Sequence, residues 1–374
     1  MDENGKTPLD YAKMGADTVI RKFPVGELPP KDRFNHHQGV FLSGVQRIYH
    51  LTEDKKYRDY VKDTVDFHIN EKGVLRFDDY ERQFDDMKPG TLLFNLYNDT
   101  KDERYKTVLD SFAPRVEMWP KNARGGFWHK TTMPNQMRLD GLYMIGPFAV
   151  MYAHYFDKPY FFETIYQQMN LMRRNMTDPK TGLLYHSWDD SKTAEWADRE
   201  TGLSSELWCR AIGWYAAAIM DILDYIPAAH PRRQEFTSAG IDIINALTRF
   251  QDEETGLWFQ IVDKGGEAGN WLETSSTLLF TYAIAKAVKK GLLHKSYSGY
   301  IHRSYEGMIK TLRFEGDALV LPNTCISSDV GDYQYYINRP KGDNDLLGMG
   351  AFLLMCCEYY EVCKSAQVCV KNKN

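Results

Sequence analysis

The stretch NQMRLDGLYMIGPFAVMYAHYF, residues 135–156, places a single carboxylate, Asp140, at the head of a long apolar run. Apolar residues recur in this run at three- and four-residue steps, which is the spacing of a helix buried on one side or more. Asp140 therefore falls at or near the first turn of a predicted helix. An aspartate at that place commonly caps the helix, because its carboxylate accepts hydrogen bonds from the free N–H groups there. A functional role for Asp140 needs support from the rest of the chain.

Five further runs share this apolar character and are also rich in small residues. Each run alternates with a charged, amphipathic segment. Glycine-marked turns recur at intervals of about 50 to 75 residues, near Gly73, Gly126, Gly182, Gly256 and Gly316, which indicates a repeated two-helix unit. The five runs are GVFLSGVQRIYHL (39–51), GTLLFNLYN (90–98), AIGWYAAAIMDILDYI (211–226), SSTLLFTYAIAKAV (275–288) and LLGMGAFLLMCCEYY (346–360).

This alternation predicts which helices are buried. A helix that is apolar all round is buried on all sides, whereas a helix with a charged face lies on the outside. Six inner helices, each paired with an outer one, predict an all-α fold, a six-hairpin (α/α)6 barrel. Strand signals are too short and scattered for a central sheet. No Pro/Ser-rich linker interrupts the chain, so we expect residues 1–374 to form a single domain.

Composition excludes several classes of partner. The net charge is −5 over 374 residues, with Lys and Arg spread along the chain, so we expect binding neither to nucleic acid nor to an anionic membrane. No apolar stretch approaches the ~20 uninterrupted residues of a membrane span, and the N-terminus lacks an apolar signal core. The six cysteines show no CxxC spacing, and free thiols with a polar start favour a cytoplasmic location. Nothing in the sequence specifies the oligomeric state.

The residues just before the inner helices would gather at one mouth of the barrel, where a pocket can form. They are rich in Trp, His, Arg and Asp, which coincidental helix capping does not predict. Aromatic faces stack on sugar C–H faces, and charged groups bind hydroxyls or a carboxylate, so this mouth predicts a sugar site. The segments are NHHQG (35–39), FDDMKPG (84–90), WHK (128–130), RLDG (138–141), YHSWDD (185–190), ELWCR (206–210), NWLETSS (270–276) and GDNDL (342–346).

Long ordered segments also resemble the unsaturated rhamnogalacturonyl hydrolases of glycoside hydrolase family 105, which are related to the unsaturated glucuronyl hydrolases of family 88. The resemblance spans nearly the whole chain and implies the same α/α barrel. The matching segments are HHQGVFLSG, GGFWHKTTMPNQMRLDGLYMIGPF, TGLLYHSWDD, LWCRAIGWY, TGLWFQIVDKGGEAGNWLETS and NDLLGMGAF.

The resemblance implies a small unsaturated oligosaccharide as substrate, with a 4,5-unsaturated uronic acid left by a lyase at its non-reducing end. Hydrolysis begins as hydration: a proton goes to C4, water adds at C5, and the hemiketal opens and releases the neighbouring sugar. Rhamnose is the neighbour by resemblance, and a glucuronyl substrate of another polysaccharide is the alternative. We expect no metal or cofactor, because no metal-ligand set or Gly-rich phosphate loop is present.

By resemblance, Asp140 is the catalytic residue that donates the proton and activates the water. Protonating a carbon requires a partly neutral carboxylic acid, and aromatic walls would raise its pKa by desolvation. Asp85 matches the second active-site aspartate of the family, and the neighbouring Asp86 is the alternative. Asp85 could instead serve only as a cap for the helix that follows.

We expect other residues of the mouth to bind substrate, namely His186, Arg210, Trp208, Trp214, Lys130, Gln38 and Arg138. By resemblance, His186 and Arg210 match positions in the pocket, and Lys130, Gln38 and His37 match pocket segments. Arg210 lies between two tryptophans, which favours a place in the pocket over a surface salt bridge. The chain departs from the family in carrying Arg138 where Trp is common, and Phe34 and His36 where Trp and Tyr are common. These departures bear on the sugar beyond the uronate. If Arg138 approaches the carboxyl of Asp140, its positive charge lowers the pKa of Asp140. The alternative is that Arg138 points into solvent.

Other functions remain open on the sequence alone. A non-catalytic saccharide-binding barrel would use the same aromatic cleft without chemistry. An epimerase of the N-acylglucosamine type would require paired histidines around the pocket. The segments that precede the last inner helices contain none. A terpene-cyclase-like barrel would want an Asp-rich helix, which Pro89 and Gly90 interrupt.

Overall fold

A computed structural model describes the backbone of residues 5–76 and 83–371 and the side chains up to residue 365. Thirteen α-helices lie within these residues. Six form an inner ring: α2 (His36–Thr52), α4 (Gly90–Thr100), α6 (Asp140–Phe156), α8 (Cys209–Tyr225), α10 (Thr274–Lys289) and α13 (Leu346–Lys371). Six lie outside: α1 (Pro8–Lys22), α3 (Lys55–His68), α5 (Glu103–Met118), α7 (Tyr160–Met176), α9 (Arg233–Thr248) and α11 (Ser298–Thr311). The short α12 (Tyr333–Ile337) precedes α13.

The inner helices form a closed ring. α2, α4, α6, α8, α10 and α13 contact one another in this order, and α13 packs back against α2. Each outer helix packs on an inner neighbour, and α1 covers α13. Residues 141–153 of α6 are all buried, whereas the outer helices bury one face only. The predicted (α/α)6 barrel is therefore confirmed.

Small residues let the ring close. A Cβ built on Gly350 of α13 would lie 2.6 Å from the carbonyl carbon of Val40 and 2.7 Å from the amide nitrogen of Phe41. The α13 and α2 backbones are thus in direct contact, and a methyl group at this position meets main chain that cannot rotate away. The last inner helix closes the ring on the first through this contact.

Strands are short, as predicted, and no central sheet occurs in the described part of the chain. Three antiparallel pairs form: β1 (Gln136–Arg138) with β2 (Ser187–Asp189), β3 (Arg313–Glu315) with β4 (Ala318–Val320), and β5 (Thr324–Cys325) with β6 (Lys341–Gly342). The glycine-marked turns have positive φ, but in the second of them the left-handed residue is Gly125 (φ 87°) and not Gly126.

One stretch of the described residues, Leu346–Ser365 in α13, is long and apolar enough to cross a membrane by length and composition. Its first part, residues 346–360, is the last of the apolar runs that predict the inner helices. In the barrel 83% of it is buried, so its place in the inner ring accounts for the apolar composition. Cys209, Cys325, Cys356 and Cys357 are buried free thiols and Cys363 is a half-buried one. The sixth cysteine, Cys369, has its side chain outside the described residues.

Replacing Gly350 by alanine tests the ring closure. We expect Gly350→Ala to lower the free energy of unfolding by about 3 kcal/mol, because the added methyl overpacks a backbone contact. Gly299→Ala on the exposed start of α11 is the control, since its Cβ would meet nothing nearer than 3.9 Å. That variant should leave stability unchanged or raise it by up to about 1 kcal/mol. Equal denaturant midpoints for the two variants would contradict the account of the closure.

Candidate active site

The β1–β2 pair brings the head of α6 beside a second segment of the mouth. Arg138 pairs with Ser187 in the antiparallel ladder, and the amide of Leu139 donates to the carbonyl oxygen of His186 at 3.2 Å. Asp140 and His186 each adjoin this ladder, although 46 positions separate them along the chain. Their side chains meet there: Nε2 of His186 lies 3.4 Å from Oδ2 of Asp140.

Asp140 does not cap its helix. Leu139 occupies the N-cap position of α6 and no side chain accepts a hydrogen bond there, whereas Asp54 and Asp102 do cap α3 and α5. Oδ2 of Asp140 is buried and has no hydrogen-bond partner among the described residues. The Asp140 side chain is only 15% exposed, and a carboxylate so placed that serves no capping role calls for another explanation.

His186 links Asp140 to a distant tyrosine. Nδ1 of His186 lies 2.6 Å from Oη of Tyr336, and both side chains are buried. Burial raises the pKa of Tyr336 well above its usual value, so the phenol keeps its proton and donates to Nδ1. Burial also lowers the pKa of His186, with Asp140 opposing, so the ring is neutral at neutral pH. The single ring proton then sits on Nε2, facing Asp140.

A second carboxyl, Asp85, lies in a 3-10 helix formed by Phe84–Met87. Its Oδ2 lies 4.0 Å from Nε2 of His129, and its Oδ1 is buried without a hydrogen-bond partner in the described residues. The neighbouring Asp86 accepts from Gln83 and does not line the pocket. Asp85 caps no helix, because the N-cap of α4 is Pro89 and bears no capping bond. The structure thus favours Asp85 over Asp86.

The two carboxyls have opposite pKa shifts. Burial, followed by the charge of Asp140, raises the pKa of Asp85 to about 6. Burial would raise the pKa of Asp140 too, but the contact with His186, followed by His129 and Arg138, outweighs it and lowers the pKa of Asp140 below its usual value. The expectation that the aromatic walls would raise the pKa of Asp140 is therefore wrong for the free protein. Below about pH 6, the carboxyl of the two that retains its proton is Asp85.

Aromatic side chains form one wall of the site. Trp208 is buried at the start of α8, where its ring lies 4.6 Å from that of His186 and 5.5 Å from that of Tyr336. Trp214, one and a half turns further along α8, stacks on Tyr143 with ring centroids 4.6 Å apart. Both tryptophans line the pocket, as the sequence predicts, but they are only 2% and 1% exposed, so they form its wall and expose little of their ring faces.

Three cations line the same pocket. The guanidinium of Arg210 is buried, lies 4.9 Å from the ring centroid of Trp208 and donates to the carbonyl oxygen of Cys325. No carboxylate of the described residues lies within salt-bridge distance of Arg210 or of the half-buried Lys130. Arg138 is also buried, but it is ion-paired with Asp329. Arg138 therefore does not point into solvent, and two cations remain free to bind an acidic ligand.

The pocket is small and polar, with a volume of about 240 Å³. It is lined by His36, Gln83, Asp85, His129, Lys130, Arg138, Asp140, Met144, Trp208, Arg210, Trp214, Ser327, Ser328 and Leu347. A larger cavity of about 600 Å³ lies beside α7 and α9, but its charged residues, such as Arg173 and Asp242, pair with each other near the surface. Converging buried polar atoms, not size, mark the smaller pocket as the candidate active site.

Two predicted substrate-binding residues do not line the pocket. Gln38 is completely buried: its amide donates to the carbonyl oxygens of Leu28 and Pro30, and its Oε1 accepts from the amide of Asn35. All its polar atoms thus bind backbone, and its place in the capping box of α2 explains its position in the motif. His186 lies behind Asp140, so it contacts the carboxyl but not the cavity. His37 lines a neighbouring cavity instead.

The sequence analysis missed the segment between β5 and β6, residues 326–340, which covers the pocket. Ser327 and Ser328 line the cavity, Asp329 pairs with Arg138, and Tyr336 binds His186. No local motif marks this segment. His129, by contrast, adjoins the predicted Lys130 within the segment WHK and could have been singled out there.

Metal ligation finds no support among the described side chains, since no group of three His, Cys, Asp or Glu residues is placed to hold an ion. The carboxyls of the pocket face histidines whose pKa values are lowered by burial, His36 to about 3 and His129 well below its usual value. The site therefore offers one ionised acid, one acid with a raised pKa, neutral imidazoles and free cations.

The chain is similar to known proteins over most of its length. The family model described as Glycosyl Hydrolase Family 88 matches residues 11–363. A solved structure of a family 105 glycoside hydrolase from C. acetobutylicum superposes with a TM-score of 0.89 at 33% sequence identity, covering 94% of this chain and 99% of that one.

Curated relatives match over shorter regions. The unsaturated rhamnogalacturonyl hydrolase YesR of Bacillus subtilis is 28% identical over 265 residues, which is 69% of this chain and 71% of YesR. Protein Atu3128 of Agrobacterium fabrum is 34% identical over 149 residues, 39% of this chain. The match spans 62% of the length of Atu3128.

The raised pKa of Asp85 predicts a pH-dependent cost to stability. The unfolded carboxyl ionises near 3.8 and the folded one near 6, so the stability contributed by the protonated form is complete below pH 3.8 and is lost as the pH rises through 6. We expect the change in unfolding free energy caused by Asp85→Asn to be more favourable at pH 8 than at pH 3.5 by about 3 kcal/mol. Thermal unfolding of both proteins at the two pH values measures this difference.

Asp63→Asn is the matched control, because Asp63 is an exposed carboxyl on the outer helix α3. It removes the same charge without changing a buried group. A stability difference between Asp85→Asn and the parent that stays the same at both pH values would contradict the raised pKa.

Proposed function

This chain belongs to glycosyl hydrolase family 88, and from that premise we propose that it removes a 4,5-unsaturated uronic acid from the non-reducing end of small oligosaccharides by adding water across the C4=C5 bond. The observation that carries the proposal is a pair of partly buried carboxyls with opposite pKa shifts, Asp85 and Asp140, in an aromatic pocket with unpaired cations. The similarity to YesR and to the family 105 hydrolase supports this class of substrate.

Substrate binding follows from the charges of the pocket. Arg210 has no carboxylate partner in the described residues and is fixed by the Cys325 carbonyl, so it is available for two-point binding of the uronate carboxylate. Trp208 and Trp214 form the aromatic wall of the pocket, and Lys130 is available for hydroxyls. We propose that the sugar beyond the uronate, rhamnose by the similarity to YesR, lies towards Arg138 and the segment 326–340.

The chemistry needs one proton on the carboxyl pair. Below about pH 6 that proton resides on Asp85 while Asp140 is ionised. The bound uronate brings a negative charge and displaces water, and both effects raise the pKa of Asp140. Asp140 then carries the shared proton and delivers it to C4, where the electron pair of the double bond forms the new C–H bond. The positive charge left at C5 is shared with the ring oxygen.

Water completes the reaction. Asp140, now a carboxylate, accepts a proton from a water molecule as the water oxygen bonds to C5. The hemiketal formed at C5 opens to a ketone, and the hemiacetal left at C1 collapses to an aldehyde as the neighbouring sugar leaves as an alcohol. His186, held by Tyr336, positions the Asp140 carboxyl throughout. No second carboxylate is needed as a nucleophile, in contrast to a retaining glycosidase.

Loss of ultraviolet absorbance by the double bond tests the proposed function. The purified protein is incubated with lyase-generated unsaturated disaccharides that differ in the sugar beyond the uronate. We expect the absorbance to fall for the unsaturated galacturonyl-rhamnose disaccharide, with release of free rhamnose. Binding without any fall in absorbance would identify a saccharide-binding barrel instead, and a fall only with glucosamine- or glucose-linked disaccharides would reassign the substrate.

Removing the acid of Asp140 should abolish turnover. We expect Asp140→Asn to lower kcat by about 10³-fold and leave folding intact, because an amide cannot deliver a proton to C4. Asp157→Asn, at the exposed far end of the same helix, is the control and should turn over like the parent. Initial rates and near-ultraviolet circular dichroism measure both. A kcat of Asp140→Asn within tenfold of the parent would overturn the assignment.

Arg210 should recognise the substrate carboxylate. We expect Arg210→Ala to raise KM and to lower kcat/KM by about a hundredfold for the free uronate, because a charge-assisted contact is lost. The methyl ester of the same substrate lacks the charge, so its kcat/KM should change little. Equal losses for acid and ester would show that Arg210 only supports the fold around Cys325.

A further inference from the structure

A second cavity enters the barrel from the end opposite the candidate active site. We call it the shaft. Its volume is about 340 Å³, and every inner helix contributes to its wall, for example through Gln46, Asn95, Tyr143, Asp221, Lys286 and Glu358. Its outer part is formed by the C-terminal halves of the inner helices, whereas the active-site residues lie near or before their N-termini.

The cations of the shaft are paired, with one exception. Lys286 lies 2.6 Å from Oδ1 of Asp221 and also pairs with Asp224. Arg47 lies 3.0 Å from Oε1 of Glu358, which also pairs with Lys289. The three cations and three carboxylates of these ion pairs leave this part of the shaft wall without net charge.

The exception is Lys88, at the inner end of the shaft. Its side chain is only 3% exposed, and its Nζ lies 4.1 Å from the ring centroid of Tyr143. Within the described part of the chain, Nζ donates no hydrogen bond and no carboxylate lies within salt-bridge distance. Burial lowers the pKa of Lys88 to about 8, with the more distant Asp221 opposing, as expected for an ammonium without a counterion.

Tyr143 supplies a second unpaired donor. Its Oη is buried and has no hydrogen-bond partner among the described residues, and burial raises its pKa well above the usual value, so the phenol keeps its proton. The inner end of the shaft thus presents an ammonium and a hydroxyl, both of which donate. Burying such groups without an acceptor is costly.

We propose that the inner end of the shaft binds a small, singly charged anion, a halide or a short carboxylate, between Nζ of Lys88 and Oη of Tyr143. Four cations and three carboxylates line the shaft, which leaves one positive charge to be balanced. At the rim of the shaft, Glu361 pairs with Lys289 and Lys290 pairs with Asp224, and the charges of Glu361 and Lys290 cancel. His50 adds no charge at neutral pH, because burial lowers its pKa.

The site is distinct from the active site but adjoins it. Tyr143 stacks on Trp214, which lines the active-site pocket, so this stacked pair of rings lies between the two cavities. Lys88 follows the 3-10 helix that carries Asp85. Anion binding does not rest on the proposed hydrolase activity, and its test needs no substrate.

Titration with sodium bromide and sodium acetate, followed by thermal unfolding, tests the proposal. We expect a saturable rise in Tm for the parent, because a ligand that binds only the folded state stabilises it. Lys88→Met keeps the aliphatic stem and removes the charge, so its rise should be absent. Lys310→Met, an exposed lysine on α11, is the control and should respond like the parent.

Crystals of the parent grown in bromide give a second measurement. We expect an anomalous difference peak within hydrogen-bond distance of Nζ of Lys88. Equal Tm responses of the parent and Lys88→Met, or a crystal with only water at this position, would overturn the proposal. If Lys88→Met does not fold, the bromide peak in the parent decides alone.

Discussion

The contact between Nε2 of His186 and the carboxyl of Asp140 sets the character of the site. Tyr336 fixes the ring proton of His186 on the side that faces Asp140, and this keeps Asp140 ionised in spite of its burial. The negative charge of Asp140 then contributes to the raised pKa of Asp85. The result is a pair of unlike carboxyls, one ionised and one with a raised pKa, and the proposed chemistry depends on this difference.

The barrel makes this contact possible. Its inner helices begin at one mouth, so the residues that precede them converge although they are far apart in sequence. The ladder of β1 and β2 fixes the start of α6 against His186, and the close packing of α13 on α2 closes the ring behind them. The site is therefore held by backbone contacts on several sides, which favours a fixed geometry over an adaptable one.

Much of the fold and part of the site could be predicted from the sequence, because a buried helix shows a local pattern of apolar residues. The six inner helices are recognisable by apolar residues on all sides, and Asp140, Arg210, Trp208 and Trp214 precede or begin them. The partner of His186 could not be found in this way, since Tyr336 lies 150 positions away in a segment without a motif. The pKa order of Asp85 and Asp140 depends on such long-range contacts. Gln38 shows the converse: its place in a matching motif reflects a capping box and not a ligand.

The central claim is that the double bond is hydrated before the sugar is released. Proton NMR in D₂O, with the unsaturated disaccharide as substrate, follows this most directly. We expect the vinylic H4 signal to decay in step with the appearance of the free neighbouring sugar, and one deuteron to enter C4 from a single face. Accumulation of free unsaturated uronate with its H4 signal intact would contradict it.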